Sequence, residues 1–105
     1  ACAAANAAIR YLEEYDLPRR AHQLGTHFIK RLKAMDSPRV RQVRGLGLMI
    51  GVELKEKSGP YILKLMERGV LALAAGPTVI RFLPPLVIEE DVLDQVADLT
   101  TEVLQ

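Results

Sequence analysis

A single arginine in the middle of an apolar run constrains this chain more than any other feature. It stands in Thr78-Val79-Ile80-Arg81-Phe82-Leu83-Pro84-Pro85-Leu86. Branched and aromatic residues over this stretch point to a strand. Pro84 and Pro85 lack the N–H that a ladder needs, so the strand stops there and Arg81 lies near its end. Alternation puts Val79, Arg81 and Leu83 on one face, and Thr78, Ile80 and Phe82 on the other. A guanidinium stays charged, so burying it demands an anionic or carbonyl partner. From the residues alone two readings stay open. Arg81 is half of an internal ion pair, or it grips a carboxylate that comes and goes.

The stretch from Val40 to Leu54 also reads as strand. From Leu46 onward it alternates: Leu46, Leu48, Ile50, Val52 and Leu54 point one way, and Gly45, Gly47, Met49, Gly51 and Glu53 the other. One face suits packing on helices, and the other is nearly bare. Glycine weakens a strand, so the bare face implies the close approach of a backbone or a ligand. A bulged strand crossing a neighbour is the plainer alternative. Gly45-x-Gly47 has the look of a dinucleotide fingerprint. Ile50 stands where the third glycine belongs, however, and more strand follows instead of a helix, which excludes that site.

Helical patterns fill the remainder. Ala1 to Glu14 is rich in alanine, the best helix former, and its small side chains allow another helix or subunit to approach. Pro18 opens a helix from about Pro18 to Met35, with Ala21, Leu24, Phe28, Leu32 and Met35 on one face and Gly25 among them. Lys30, Arg31 and Lys33 suit its C-terminal turns and read as a solvated face. His22 and His27 are five apart, which turns them away from each other and from any shared metal. Ser58 caps a short helix with Ile62, Leu65 and Met66 as its inner stripe, stopped by Gly69. Val70 to Leu73 is a short strand, paired through a turn at Ala74-Ala75-Gly76-Pro77 with the Arg81 strand. Glu89-Glu90-Asp91 opens a last helix with the charge its dipole favours; Val92, Val96, Leu99 and Val103 form its stripe, backed by Leu93, Ala97 and Leu104. This order predicts an α+β fold. It combines a small antiparallel sheet of about three strands, helices on one face, and an N-terminal connector helix. Residues 1–16 are expected to form a connector from elsewhere in a longer protein, and residues 17–105 a small domain.

Net charge of +1 gives no pull toward nucleic acid or an anionic membrane, and no apolar run nears the ~20 residues of a membrane span. Cys2 is the only cysteine, which leaves no internal disulfide and no cysteine zinc site and suits the cytoplasm. There is no CxxC, no HExxH and no Ser/His/Asp grouping. Lys55 and Lys57 fall on a loop and Lys64 on a helix, outside the apolar settings that lower an amine's pKa. We therefore expect no catalytic residue and no metal ligand within the chain.

Three ordered motifs carry a family resemblance. They are Val43-Arg44-Gly45-Leu46-Gly47-Leu48-Met49-Ile50-Gly51-Val52-Glu53-Leu54, Glu67-Arg68-Gly69-Val70-Leu71, and Ile80-Arg81-Phe82-Leu83-Pro84-Pro85-Leu86-Val87-Ile88. Together they resemble the C-terminal part of class III (subgroup II) pyridoxal-phosphate aminotransferases, nearest to those acting on acetylornithine or on carrier-bound aminoadipate semialdehyde. Ala1 to Ala8 is similar to the helix that follows a Gly-Asn-Pro segment in those enzymes.

The resemblance implies the C-terminal small domain of a fold-type I enzyme. Arg81 would grip the substrate α-carboxylate, and Gly45 and Gly47 would line the substrate entrance. Pyridoxal 5'-phosphate would belong to the whole enzyme, with its Schiff-base lysine upstream, and none is expected in this piece. The implied partners are glutamate and 2-oxoglutarate, an ω-amino donor, the large domain and a second subunit of a homodimer. The implied setting is arginine or lysine biosynthesis in the cytoplasm. The alternative is a stand-alone carboxylate-binding or dimerisation module without catalysis.

Overall fold

The structure, a computed structural model, describes residues 1–105. Its elements follow the order α1 (Cys2–Glu14), α2 (Leu17–Ala34), β1 (Val40–Leu46), β2 (Met49–Leu54), α3 (Gly59–Glu67), β3 (Leu73–Ala74), β4 (Val79–Phe82) and α4 (Glu90–Leu104). The strands form one antiparallel sheet in the order β1-β2-β4-β3. This is the α+β arrangement read from the sequence, with four strands in place of about three.

The extra strand comes from a turn inside the stretch read as continuous. Leu46 pairs with Met49, so the chain reverses over Gly47-Leu48 alone. Gly47 has φ +57 at the first central position, where a tight hairpin turn of primed type requires a left-handed residue. The alternation survives from the turn into β2: Leu48, Ile50, Val52 and Leu54 are all buried, whereas Leu46 is 85% exposed.

Buried faces of α2, α3 and α4 meet the inner face of the sheet in one cluster that joins Leu24, Phe28 and Leu32 to Ile50, Val52, Ile80, Phe82, Leu93 and Leu104. The α2 stripe is buried at every position predicted, from Ala21 to Met35. Phe28 meets Phe82 edge-on with ring centroids 5.5 Å apart, an arrangement that adds about 1 kcal/mol beyond burial. It fixes β4 against α2.

Two helix stripes are rotated from expectation. In α3 the buried residues are Tyr61 and Leu65, while Met66 is exposed. In α4 Thr100 lies fully buried between Ala97 and Leu104, its hydroxyl donating to the Val96 carbonyl at 2.7 Å, and Val92 is exposed. Ser58 leads into α3 without a side-chain cap. Its buried hydroxyl donates to the Pro77 carbonyl at 3.3 Å and ties the β3–β4 turn to α3. Gly69, at φ +87, ends α3 as predicted. Its N–H bonds Met66 O and that of Val70 bonds Leu65 O, the paired closure of a glycine-terminated helix.

Candidate functional site

One face of the sheet carries the helices, and the other is open. On β4, Ile80 and Phe82 are buried among the helices, so alternation turns Arg81 to the open face. Register then places it. Gly51 is the partner of Arg81 on one side and Leu73 on the other, and Arg44 is the partner of Gly51. Arg44, Gly51, Arg81 and Leu73 thus form one row across four strands. A groove of about 410 Å³ runs along this row, lined among others by Arg44, Gly45, Met49, Gly51, Val79 and Arg81. Gly51 has no side chain, so the floor between the two arginines is bare backbone.

Arg81 is partly buried, and its Nε is shut off from solvent with no hydrogen-bond partner. Leaving a buried donor unmade costs about 1–3 kcal/mol, and more on a charged group. The internal ion pair, one of the two readings open from sequence, is not formed. The other arginines of this region all find carboxylates. Arg41 and Arg44 both contact Glu53, and Arg39 contacts Glu56 at 2.8 Å.

The segment after Arg81 is held from behind. Arg20, on α2, donates to Leu86 O at 2.6 Å and also to Ile88 O. Pro84 and Pro85 cannot bond as a strand, and this clamp sets their course instead.

Gly45 and Gly47 stand differently from one another. Gly45 contributes backbone to the groove, but a Cβ added there would point away from it, 2.7 Å from Met49 O and 3.2 Å from the Ile29 side chain. Gly47 lies in the turn, outside the groove, against α2. Gly51 and Arg44 were not singled out from sequence. The signal was available: reading Gly47 as a turn folds Arg44 directly opposite Gly51.

Outside the groove, the basic residues of α2 divide. Lys30 and Lys33 are exposed, while Arg31 reaches Asp94 at 2.8 Å and also Asp98 on α4. His27 joins Asp94 at 2.7 Å, and His22 is exposed. The hydrogen bond from His27, with the charges of His27 and Arg31, holds the Asp94 carboxyl below its usual range. At the other edge Tyr61 donates to Glu56 beside Arg39. That bond, with Arg39, lowers the Glu56 carboxyl. The same bond and burial raise the Tyr61 phenol, against the opposing pull of Arg39. Both clusters tie elements together on the surface. All five lysines are exposed: Lys30, Lys33, Lys55, Lys57 and Lys64.

An open, glycine-floored groove beside an unpaired arginine is what comparison with known proteins bears on. The family model for class-III aminotransferases matches residues 1–104. This chain belongs to the class-III aminotransferase family. Among curated class-III relatives, a [LysW]-aminoadipate semialdehyde transaminase from Deinococcus radiodurans is 52% identical over 95 residues, which is 90% of this chain and 22% of that protein. Among solved structures, acetylornithine aminotransferase from Elizabethkingia anophelis superposes with a TM-score of 0.90 at 28% identity, over 98% of this chain and 27% of that one. Ornithine aminotransferase from Toxoplasma gondii, described with partial occupancy of PLP at its active site, gives 0.90 at 29% identity over 98% and 26%. The chain thus spans about a quarter of the length of the class-III aminotransferases it matches. No helix is long and apolar enough to cross a membrane.

Proposed function

We propose that this chain is the C-terminal part of a pyridoxal-phosphate aminotransferase, and that Arg81 binds the α-carboxylate of its substrates. Residues 1–16 are then the connector from a larger domain, and residues 17–105 the small domain. The carrying observation is Arg81 itself, a partly buried guanidinium with a partnerless Nε beside a glycine-floored groove. A carboxylate matches it: two oxygens meet a planar fork of N–H donors, and the charge pair forms where water is partly excluded.

Pyridoxal phosphate supplies the electron sink for moving an amino group between substrates. The residues of this chain do not fit that cofactor, because every lysine is exposed and none sits in an apolar recess. Holding the cofactor falls to the part of the enzyme that this chain does not span. What this chain contributes is orientation. Arg81 fixes one end of the substrate, the strand pair β2–β4 fixes Arg81, and Phe28 behind Phe82 keeps that pair on the helices. Gly45 borders the groove with backbone alone, as a substrate entrance allows.

The acceptor in this reading is 2-oxoglutarate, returned as glutamate. The donor is a terminal amine of the ornithine type, such as N-acetylornithine or a carrier-bound lysine precursor. The names of the relatives support this, together with a place in arginine or lysine biosynthesis. A cytoplasmic homodimer completes the proposal.

The test is substitution of Arg81 in the full-length enzyme. Arg81→Ala removes the charged half of a desolvated pair, and KM for 2-oxoglutarate and for glutamate rises about 30-fold or more. Arg81→Lys keeps the charge but loses the fork, and recovers only part of the affinity. Unchanged affinity for both ligands in Arg81→Ala removes the assigned role. In parallel, the 105-residue chain mixed with pyridoxal phosphate develops no protein-bound visible absorbance, whereas the full-length enzyme does.

A further inference from the structure

Within this chain, Glu53 is the carboxylate best placed to neutralise Arg81, and it is turned away. It stands opposite Val79, two residues before Arg81 on the same strand. Arg81 is therefore its diagonal neighbour on the open face, with Cα atoms roughly 7–8 Å apart, within reach of long side chains. The pair does not form. Arg44 Nη1 lies 3.3 Å from Glu53 Oε1, and Arg41 Nε lies 3.5 Å from Glu53 Oε2. Both oxygens are thus engaged from β1, on the side away from Arg81. Gln42 Oε1 accepts from the same Arg44 nitrogen at 3.2 Å and steadies it.

We infer that Arg44, seconded by Arg41, is a positioning residue for carboxylate binding: it holds Glu53 off Arg81 and so keeps Arg81 available. The inference rests on the reading of Arg81 as the carboxylate grip. Its physical basis is competition. A carboxylate tethered one strand away acts at an effective concentration on the order of millimolar, comparable to that of a metabolite. If Glu53 were released, every incoming substrate would first have to displace it. Gly51, the partner of Arg81 on the same strand as Glu53, has no side chain and leaves the space beside this diagonal bare.

The pairing among these half-exposed groups is individually weak, so the expected effects are moderate. In the full-length enzyme, Arg44→Gln raises KM for 2-oxoglutarate roughly fivefold and leaves kcat within about twofold. Binding of glutarate, an unreactive dicarboxylate, weakens by a similar factor in calorimetry. Arg44→Lys retains the ion pair and stays near wild type. Arg41→Gln, at a more exposed position, gives a smaller rise in the same direction.

The deciding variant is Arg44→Gln combined with Glu53→Gln. With the competing carboxylate gone, both affinities return to wild type. If the double variant binds as weakly as Arg44→Gln, then Arg44 acts by touching the ligand or through packing, and the inference is overturned. An Arg44→Gln enzyme with unchanged affinity overturns it as well. Arg81→Ala is the control that separates the two levels. If it too leaves affinity unchanged, the carboxylate reading of Arg81 fails; if it weakens binding while the rescue fails, only the role of Arg44 falls.

Discussion

At Gly25 the backbone of α2 comes so near the hairpin turn that a Cβ built there would lie 1.8 Å from the Gly47 carbonyl oxygen. Only a shift of backbone on one side or the other could make room. Gly25→Ala is accordingly expected to destabilise by about 3 kcal/mol or more, seen as a lower denaturant midpoint in equilibrium unfolding. Gly59→Ala is the matched control, since nothing lies within 4 Å of a Cβ there and the backbone is ordinary; it should change stability by less than about 0.5 kcal/mol. Gly51 gives the opposite dissociation. A Cβ at Gly51 would make an ordinary 3.4 Å contact with the Val79 side chain, so the fold accepts alanine. That methyl would nevertheless stand on the groove floor between Arg44 and Arg81. If Arg81 grips a carboxylate as proposed, Gly51→Ala should therefore keep the melting temperature of the full-length enzyme and weaken its binding of 2-oxoglutarate, and a joint measurement of the two checks it.

The α2–α4 contact is an element-scale clamp with a pH dependence. Asp94 on α4 faces His27 and Arg31 on α2; Asp98 shares Arg31, and Glu90 lies 3.6 Å from His27. The Asp94 carboxyl is depressed first by its hydrogen bond to His27 and then by the charges of His27 and Arg31. A depressed carboxyl stabilises the fold above its unfolded value and loses that contribution as pH falls through the folded value. The loss therefore belongs to the acid limb, below the ordinary value of 3.8. Asp94→Asn should be less stable than wild type at neutral pH, with the difference closing as pH falls below that range. Thermal melts of both proteins across pH 2–7 would show it, and a constant offset at every pH would contradict it.

These elements also show what the sequence could convey. The α2 stripe was legible because Ala21, Leu24, Phe28, Leu32 and Met35 are all apolar and evenly spaced. The Arg81 strand was legible because two prolines bound it. The β1–β2 turn was hidden, because Leu46-Gly47-Leu48-Met49-Ile50 keeps a period of two straight through it. Thr100 hid the true inner face of α4, since a buried threonine satisfied by Val96 O looks like a surface residue in a one-dimensional pattern. Of the groove, Arg81 and Gly45 could be named, but the row linking Arg44, Gly51 and Arg81 depends on strand register. Register is set by the turn that alternation concealed.

On the scale of the whole molecule, the chain is more extended than its length requires. Its radius of gyration is 14.9 Å, against about 13 Å for a compact domain of this size. The excess is α1, a helix with no buried residue, whose Ile9, Tyr11 and Tyr15 stay exposed. A helix that buries nothing adds little to stability, since packing of an apolar face is what holds most protein helices. The open sheet face is the second departure from compactness, with Leu46, Met49, Leu73 and Leu83 each at least half exposed. Residues 17–105 alone should therefore unfold with a free energy within about 0.5 kcal/mol of the 105-residue chain. Both pieces should self-associate at high concentration, because the open sheet face remains when α1 is removed. Sedimentation velocity distinguishes the two surfaces. If the sheet face is the contact, association persists in residues 17–105 and is abolished by Met49→Glu with Leu73→Glu, both at positions that face solvent. Should deletion of residues 1–16 alone yield a monomer, α1 is the contact and acts as a dimerisation element.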